Sequence, residues 1–376
     1  MKKALLVVSM MVAMEMGWGV VSSRLSMLGH SAEPTDPAQA YQQAVDRAVQ
    51  YLRTKGQAED GSFSKQAGIG VTAVVTAGLL SVGLSPEDPM VAKALKFLEG
   101  FRQPDGGIYQ PDTFYKNYET SLALMVFQLA NKDGRYDQLI KAANRFLKEL
   151  QWDEGEGHDR TSMFYGGAGY GRSKRPDLSN TAFLIEALRA TGTSPDDEAI
   201  KKALIFVSRC QNLESEHNTT PFPAKNPDGG FYYSPAAGGV SMAGTTPEGG
   251  LRSYGSMTYA GLKSMIYAGL TPEDKRVKAA VEWIQKHYDV KSNPGLGDAG
   301  LYYYYHTMAK ALHVMGLKEL TDAKGQKHDW RQELRQELLS RQKPDGSWVN
   351  QNPRWLEADP NLVTGYALLT LAYLKP

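Results

Sequence analysis

Aspartate, tyrosine and histidine residues with proton-transfer chemistry stand at the starts of apolar segments in this 376-residue chain. Asp177 precedes the apolar segment 181–188, and Asp298, Tyr305 and His306 precede the segment 307–315. Carboxyl, phenol and imidazole groups all serve as general acids and bases. We predict these four as candidate catalytic residues. For Asp177 a helix N-cap, and for His306 a satisfied core position, are the alternative interpretations.

A wider set of polar and aromatic residues occupies the same kind of position and is predicted to line a cavity. An aromatic lining buries apolar ligand surface and its ring faces stabilise cations, which suits an isoprenoid; the same inventory also suits a sugar. Four consecutive tyrosines, 302–305, cover every face of a helix, so only one or two can face the cavity. The predicted lining residues are Tyr118, Glu119, Tyr170, Arg172, Arg252, Tyr254, Tyr302, Trp355 and Asp359.

One phrase recurs along the chain and predicts how these residues are positioned. It consists of Gln, a few residues, Asp-Gly, Gly or Ser, and an aromatic residue. An amphipathic helical pattern precedes the phrase and a nearly all-apolar one follows it, so the first helix belongs outside and the second inside. The instances are residues 57–63, 103–109 and 342–348, an interrupted one at Gln211 with 226–231, and two degenerate ones at 151–155 and at Gln285 with 295–298.

Six such helix pairs predict a closed double ring. If the inner helices form a ring and the outer helices surround it, the last repeat meets the first and no end repeat is left exposed. The predicted fold class is therefore all-α, an (α/α)6 toroid. It occupies residues 41–376 as a single domain.

The phrase at Gln342, Gly346 and Trp348 resembles the QW motif of squalene cyclases and related terpene cyclases, in one superfamily with protein prenyltransferases. The resemblance covers residues from about 40 to 376. It implies a toroid that binds a hydrophobic, isoprenoid-type ligand in its central cavity. The glutamine is expected to hydrogen-bond the ends of neighbouring helices, and the aromatic residue to pack across the repeat junction.

The resemblance also implies catalytic residues, and the terpene cyclase set is incomplete here. Residues 177–182 match the Asp-x-Asp-Asp-Thr-Ala motif at Asp177 and at Thr-Ala, but Ser179 stands in place of the acid. A serine hydroxyl cannot protonate an alkene. Enzymatic activity, of an isomerase or a transferase type, is left open.

The prenyltransferase zinc set is incomplete as well. His306 falls on a zinc-ligand position in a Tyr-His-Thr segment, whereas Arg252 and Tyr254 stand where the Asp-x-Cys partner is expected. Zinc needs at least three suitable ligands. We therefore predict no metal and no cofactor.

The N-terminal 32 residues are predicted to be a secretory signal peptide or an N-terminal anchor, followed by a linker at 33–40. Lys2 and Lys3 precede an apolar stretch that Glu15 interrupts, a pattern typical of export signals. The protein is therefore expected in the periplasm or outside the cell, with membrane proximity through residues 1–32. The balance of 42 basic and 41 acidic side chains gives no reason to expect nucleic acid as a partner.

Three hypotheses about function follow from these observations. The first is a toroid that binds a hydrophobic isoprenoid-type small molecule. The second is a non-catalytic binding or assembly module of the cell envelope, with a protein partner. The third is a carbohydrate-active helical toroid that uses tyrosine and histidine as acid and base.

Overall fold

Helices of two kinds alternate along the chain, which a computed structural model describes over residues 36–171 and 175–376. The predicted signal or anchor, residues 1–32, and Arg172 lie outside the described residues. The helices are α1 (Pro37–Tyr51), α2 (Gly70–Ser81), α3 (Pro89–Glu99), α4 (Lys116–Ala130), α5 (Asp137–Glu149), α6 (Leu178–Ala190), α7 (Glu198–Arg209), α8 (Phe222–Lys225), α9 (Gly255–Tyr267), α10 (Lys275–His287), α11 (Leu301–Val314), α12 (Trp330–Ser340) and α13 (Pro360–Leu371). Two short strands, β1 (Leu320–Thr321) and β2 (Lys327–His328), pair antiparallel between α11 and α12.

Six inner helices form a closed ring. Helix α2 packs against α4, α4 against α6, α6 against α9, α9 against α11, α11 against α13, and α13 returns to α2. The amphipathic helices α1, α3, α5, α7, α10 and α12 lie outside this ring. The predicted all-α toroid is thereby confirmed, and residues 37–376 form its single compact unit.

The two kinds of helix differ in how much of their surface is buried. Outer helix α5 buries Leu139, Ile140, Ala143, Phe146 and Leu147 along one face and exposes most of the rest. Inner helix α2 buries all of its first ten residues. An apolar stripe needs one packed surface, whereas a helix that is apolar all round needs neighbours on every side.

The glutamine of the repeat phrase links each turn to the next outer helix. At the four positions that show this, its side-chain amide donates one hydrogen bond to the glycine carbonyl of its own phrase and one to a carbonyl of the following outer helix, at 2.8–3.1 Å. The predicted linking role is confirmed, although the helix acceptors include Ala44, which lies inside α1 and not at its end. The four glutamines are Gln57, Gln151, Gln211 and Gln342.

The structure corrects the register of one degenerate phrase. Gln151 donates to the carbonyl of Gly166 at 2.8 Å, not to Gly155. The intervening residues form an inserted loop with one 3₁₀ turn, Glu154–Glu156. Because of this insertion, the glycine that Gln151 binds lies much farther along the chain than in the regular phrases.

A threonine in the first two turns of five inner helices binds the residue that lies two positions after the glycine of the phrase. Its hydroxyl oxygen accepts a hydrogen bond from that residue's backbone N–H at 2.9–3.1 Å. Thr181, which belongs to the segment 177–182 that resembles the terpene cyclase motif, is one of them and therefore has a structural role. The five are Thr72, Thr120, Thr181, Thr258 and Thr364.

The ends of the described chain bear on two further predictions. Helix α1 begins at Pro37, inside the segment 33–40 that was predicted as a linker. Proline suits the first helical turn because its missing N–H would have no partner there. Within residues 36–171 and 175–376, no helix is both long and apolar enough to span a bilayer.

Candidate ligand-binding site

A cavity of about 740 Å³ opens at the end of the ring where the inner helices begin. All six inner helices or their N-caps contribute residues from their first two turns, so the six helices run in the same direction around it. Its volume lies within the range of small-molecule sites. Among the described residues, ten aromatic ones line this central cavity: Phe114, Tyr115, Tyr118, Tyr170, Phe183, Tyr233, Tyr254, Tyr303, Trp355 and Tyr366.

The structure places six of the nine predicted lining residues on the cavity wall. They are Tyr118, Glu119, Tyr170, Tyr254, Trp355 and Asp359. Arg252 instead donates from Nε to the carbonyl of Thr245 in its own loop, at 2.9 Å. Tyr302 is buried and packs edge-on against Tyr305, with ring centroids 5.6 Å apart.

Asp177 lies behind the cavity wall as the N-cap of α6. Its Oδ1 accepts the backbone N–H of Asn180 at 2.9 Å and the hydroxyl of Ser179 at 2.8 Å. Burial raises the pKa of this carboxyl, which interacts with the phenol of Tyr233 on the cavity wall. This geometry matches the N-cap interpretation of Asp177. Other residues separate its carboxyl group from the cavity.

Asp298 and Tyr305 do not line the cavity either. The Asp298 side chain is exposed in the loop before α11. Tyr305 is buried beside Tyr302 and Tyr304, because successive helical positions rotate by about 100° and Tyr303 occupies the cavity face. One of the four tyrosines, Tyr303, therefore faces the ligand space.

His306 lies farther from the mouth, beside the cavity residue Tyr366, with ring centroids 6.0 Å apart. It is buried, and its Nδ1 has no hydrogen-bond partner in the described structure. Burial lowers the pKa of His306 to about 3, with the ammonium of Lys310 adding to the effect. The imidazole is thus neutral at physiological pH.

A buried ion cluster lies toward the opposite end of the inner helices, and the sequence analysis did not predict it. We use "the ion cluster" for Glu186, Lys263 and Lys310, each of which stands four residues before the end of α6, α9 or α11. Both ammonium groups contact the Glu186 carboxylate. Burial would raise the pKa of Glu186, but the two ammonium groups hold it below its usual range.

Glu119 is a buried carboxyl group on the cavity wall. The residue is only 2% exposed, and Oε2 accepts the backbone N–H of Gln110 at 2.9 Å. Burial raises the pKa of this carboxyl to about 7, against the lowering effect of its backbone donors Gln110 and Ile69.

Several cavity residues were not predicted. Phe183 and Tyr366 lie one helical turn beyond Ser179 and Leu362, which also line the cavity. That i, i+4 spacing was a usable signal. Tyr233 comes from the insert before α9 and had no such signal. Over residues 36–171 and 175–376, no group of three or more His, Cys, Asp and Glu side chains is placed to hold a metal ion.

Comparison with known proteins finds similarity in structure alone. No protein-family model and no curated protein matches the chain. Type II terpene cyclase MstE from Scytonema, in complex with its substrate geranylgeranyl dihydroxybenzoate, is similar with a TM-score of 0.54 and 13% identity, over 90% of this chain and 99% of that one. The same enzyme with its product merosterolic acid A gives a TM-score of 0.53 and 14% identity, over 90% and 97%. At this identity the likeness establishes a terpene cyclase-like fold.

Proposed function

We propose that this protein binds a hydrophobic, isoprenoid-type ligand in the central cavity. The observation that carries the proposal is the lining: ten aromatic side chains surround a volume of about 740 Å³. Burial of apolar surface contributes roughly 25 cal/mol per Å², and aromatic faces add attraction for any positive charge that develops on the ligand. A branched polyene offers apolar surface along its whole length.

The fold comparison supports this choice of ligand class. The MstE structures contain a geranylgeranyl-bearing substrate in one case and a terpenoid product in another. Sharing the toroid with that enzyme favours an isoprenoid over other apolar molecules of similar size. The proposal concerns binding, because Ser179 and Asn180 supply no acid where the terpene cyclase motif has one.

Titration of the full chain with geranylgeraniol and with squalene, each delivered from cyclodextrin, tests the proposal by calorimetry. We expect saturable binding with one ligand per chain. Met257→Trp adds bulk to the cavity wall on α9 and should weaken binding at least tenfold by steric exclusion. Leu129→Trp, at the far end of α4 and about one-third exposed, is the matched control and should bind normally.

Two results would contradict the proposal. One is that neither geranylgeraniol nor squalene binds saturably. The other is unchanged affinity in a folded Met257→Trp variant, verified by its circular dichroism and Tm. In that event an oligosaccharide panel and a search for a protein partner would test the carbohydrate and envelope-assembly hypotheses.

A further inference from the structure

Glu119 differs from the other carboxyl groups that line the central cavity. Asp359 caps α13, accepting the backbone N–H groups of Asn361 and Leu362 at 2.8 and 3.1 Å. Glu357 accepts N–H groups from the first turn of α11 through Oε1 and the Asn350 amide through Oε2, at 2.7–3.0 Å. Asp112 is exposed to solvent. Glu119 is also buried, and it accepts two backbone N–H groups, those of Gln110 and of Ile69 just before α2.

The backbone around Glu119 holds its carboxyl in place. A methyl group at Gly68 would lie 2.7 Å from Oε1, so only glycine permits this close approach. Gln110 donates its N–H to the other oxygen, Oε2, at 2.9 Å. The carboxyl is therefore fixed, yet it still faces the cavity and keeps lone pairs for a ligand.

Among the described residues, the other titratable groups on the cavity wall are phenols and carboxyl groups. Tyr118 on α4 and Tyr366 on α13 are phenols, and the remaining acidic side chains of the lining are Asp112, Glu357 and Asp359. Within the described ranges, no lysine or arginine lines the cavity. A ligand that expels water from this wall favours the uncharged form of Glu119, because ionised groups lose most on desolvation.

We propose that Glu119 hydrogen-bonds an oxygen atom at one end of the ligand, so that the cavity selects an isoprenoid alcohol over a pure hydrocarbon. This inference rests on the proposed function and names the ligand class more closely. A hydrocarbon would leave the buried carboxyl without a partner on its cavity side, which costs free energy. A hydroxyl oxygen accepts the proton of the neutral carboxyl.

A cycle of two ligands and three proteins tests this inference. The ligands are geranylgeraniol and the hydrocarbon with the same carbon chain but no hydroxyl group. The wild type should bind the alcohol about tenfold more tightly, which corresponds to roughly 1.4 kcal/mol. Glu119→Leu should reduce that preference to within twofold, whereas Glu119→Gln, whose amide also donates, should retain most of it.

The pH dependence separates a direct contact from a structural role. Geranylgeraniol should bind the wild type several-fold more tightly at pH 6 than at pH 8, since the neutral carboxyl is the donor. Glu119→Gln should bind equally at both values. A rearranged wall would not produce this selective loss of the pH effect.

The outcomes are distinguishable. Equal preference for the alcohol in the wild type and in Glu119→Leu, or an unchanged pH profile in Glu119→Gln, would overturn the inference. Binding of the hydrocarbon in those same experiments would leave the proposed function standing. Failure of both ligands to bind the wild type would overturn both proposals.

Discussion

The two ends of the inner ring are built from the same helices but in opposite ways. At the mouth, where the inner helices begin, aromatic side chains surround an open cavity. At the far end, the ion cluster of Glu186, Lys263 and Lys310 joins three inner helices, one turn before each ends. One end is open to a ligand, and the other is held together by charge.

Helix dipoles explain why the far end tolerates two ammonium groups for one carboxylate. The C-terminal ends of helices carry partial negative charge, which favours cations in the last turn. At the mouth the dipoles have the opposite sign, and carboxylates such as Asp359 and Glu357 accept the N–H groups of the first turns. Polar residues at the two ends therefore follow the backbone electrostatics, and Glu119 differs in that its Oε2 accepts the N–H of Gln110, a loop residue outside any first turn.

Removal of Glu186 should have the largest effect on stability. Glu186→Leu leaves two buried ammonium groups without their partner, which should lower the free energy of unfolding by about 3–5 kcal/mol. Urea unfolding monitored by circular dichroism measures this. Adding Lys263→Met and Lys310→Met should restore most of the loss, because no uncompensated charge then remains. A Glu186→Leu protein as stable as the wild type would refute the role given to the ion cluster.

Two glycine substitutions compare the turns at the two ends. Gly346, at the mouth, has a φ of +91° and packs against the carbonyl of Arg47, whereas Gly83, at the far end, has a φ of +107° and open space around it. Gly346→Ala should therefore cost about 3 kcal/mol, from strain and collision together. Gly83→Ala should cost about 1 kcal/mol from strain alone. Equal losses of unfolding free energy would show that the turns at the mouth are not closely packed.

Glu119 should lower the free energy of unfolding of the protein as the pH rises. Its pKa is about 7 in the folded protein and near 4.5 when exposed, so the folded state binds the extra proton between these values. The contribution of this proton to the free energy of unfolding is fully present below pH 4.5 and is lost as the pH rises through 7. Glu119→Gln should therefore gain on the order of 2 kcal/mol relative to the wild type between pH 5 and pH 8, measured by urea unfolding. No change in this difference would contradict the burial assigned to Glu119.

His306 should give the free energy of unfolding the opposite pH dependence. Its pKa is about 3 when folded and near 6.5 when exposed, so the unfolded state binds the proton more readily. The contribution of neutral His306 to the free energy of unfolding is fully present above pH 6.5 and falls as the pH drops toward 3. His306→Phe should remove on the order of 1–2 kcal/mol of the loss between pH 7 and pH 5. Identical acid unfolding of the two proteins would contradict a neutral, buried imidazole.

Sequence reasoning reached the ring because the repeat phrase is local. Gln342, Gly346 and Trp348 lie within seven residues, and their pattern recurs wherever an outer helix meets an inner one. The same reasoning placed Tyr118, Glu119 and the other residues at inner-helix starts near the cavity, since position along a helix follows from sequence alone.

The orientation of a helix about its own axis and the contacts made by closure of the ring depend on residues far apart in sequence. The predictions that depended on them were wrong or missing. The choice of Tyr303 over Tyr302 and Tyr305 as the cavity residue depends on how α11 is rotated against its neighbours. The ion cluster joins Glu186 to residues 77 and 124 positions away. Only the closed ring brings those side chains together, so no sequence spacing indicates them.

The most direct test of the ligand proposal is a crystal structure of the protein grown with geranylgeraniol. We predict continuous density for the polyene along the aromatic wall of the cavity, in contact with the rings of Phe183 and Tyr303. The hydroxyl oxygen should lie within hydrogen-bond distance of the Glu119 carboxyl. Ordered water throughout the cavity, with the alcohol absent or bound elsewhere on the protein, would contradict it.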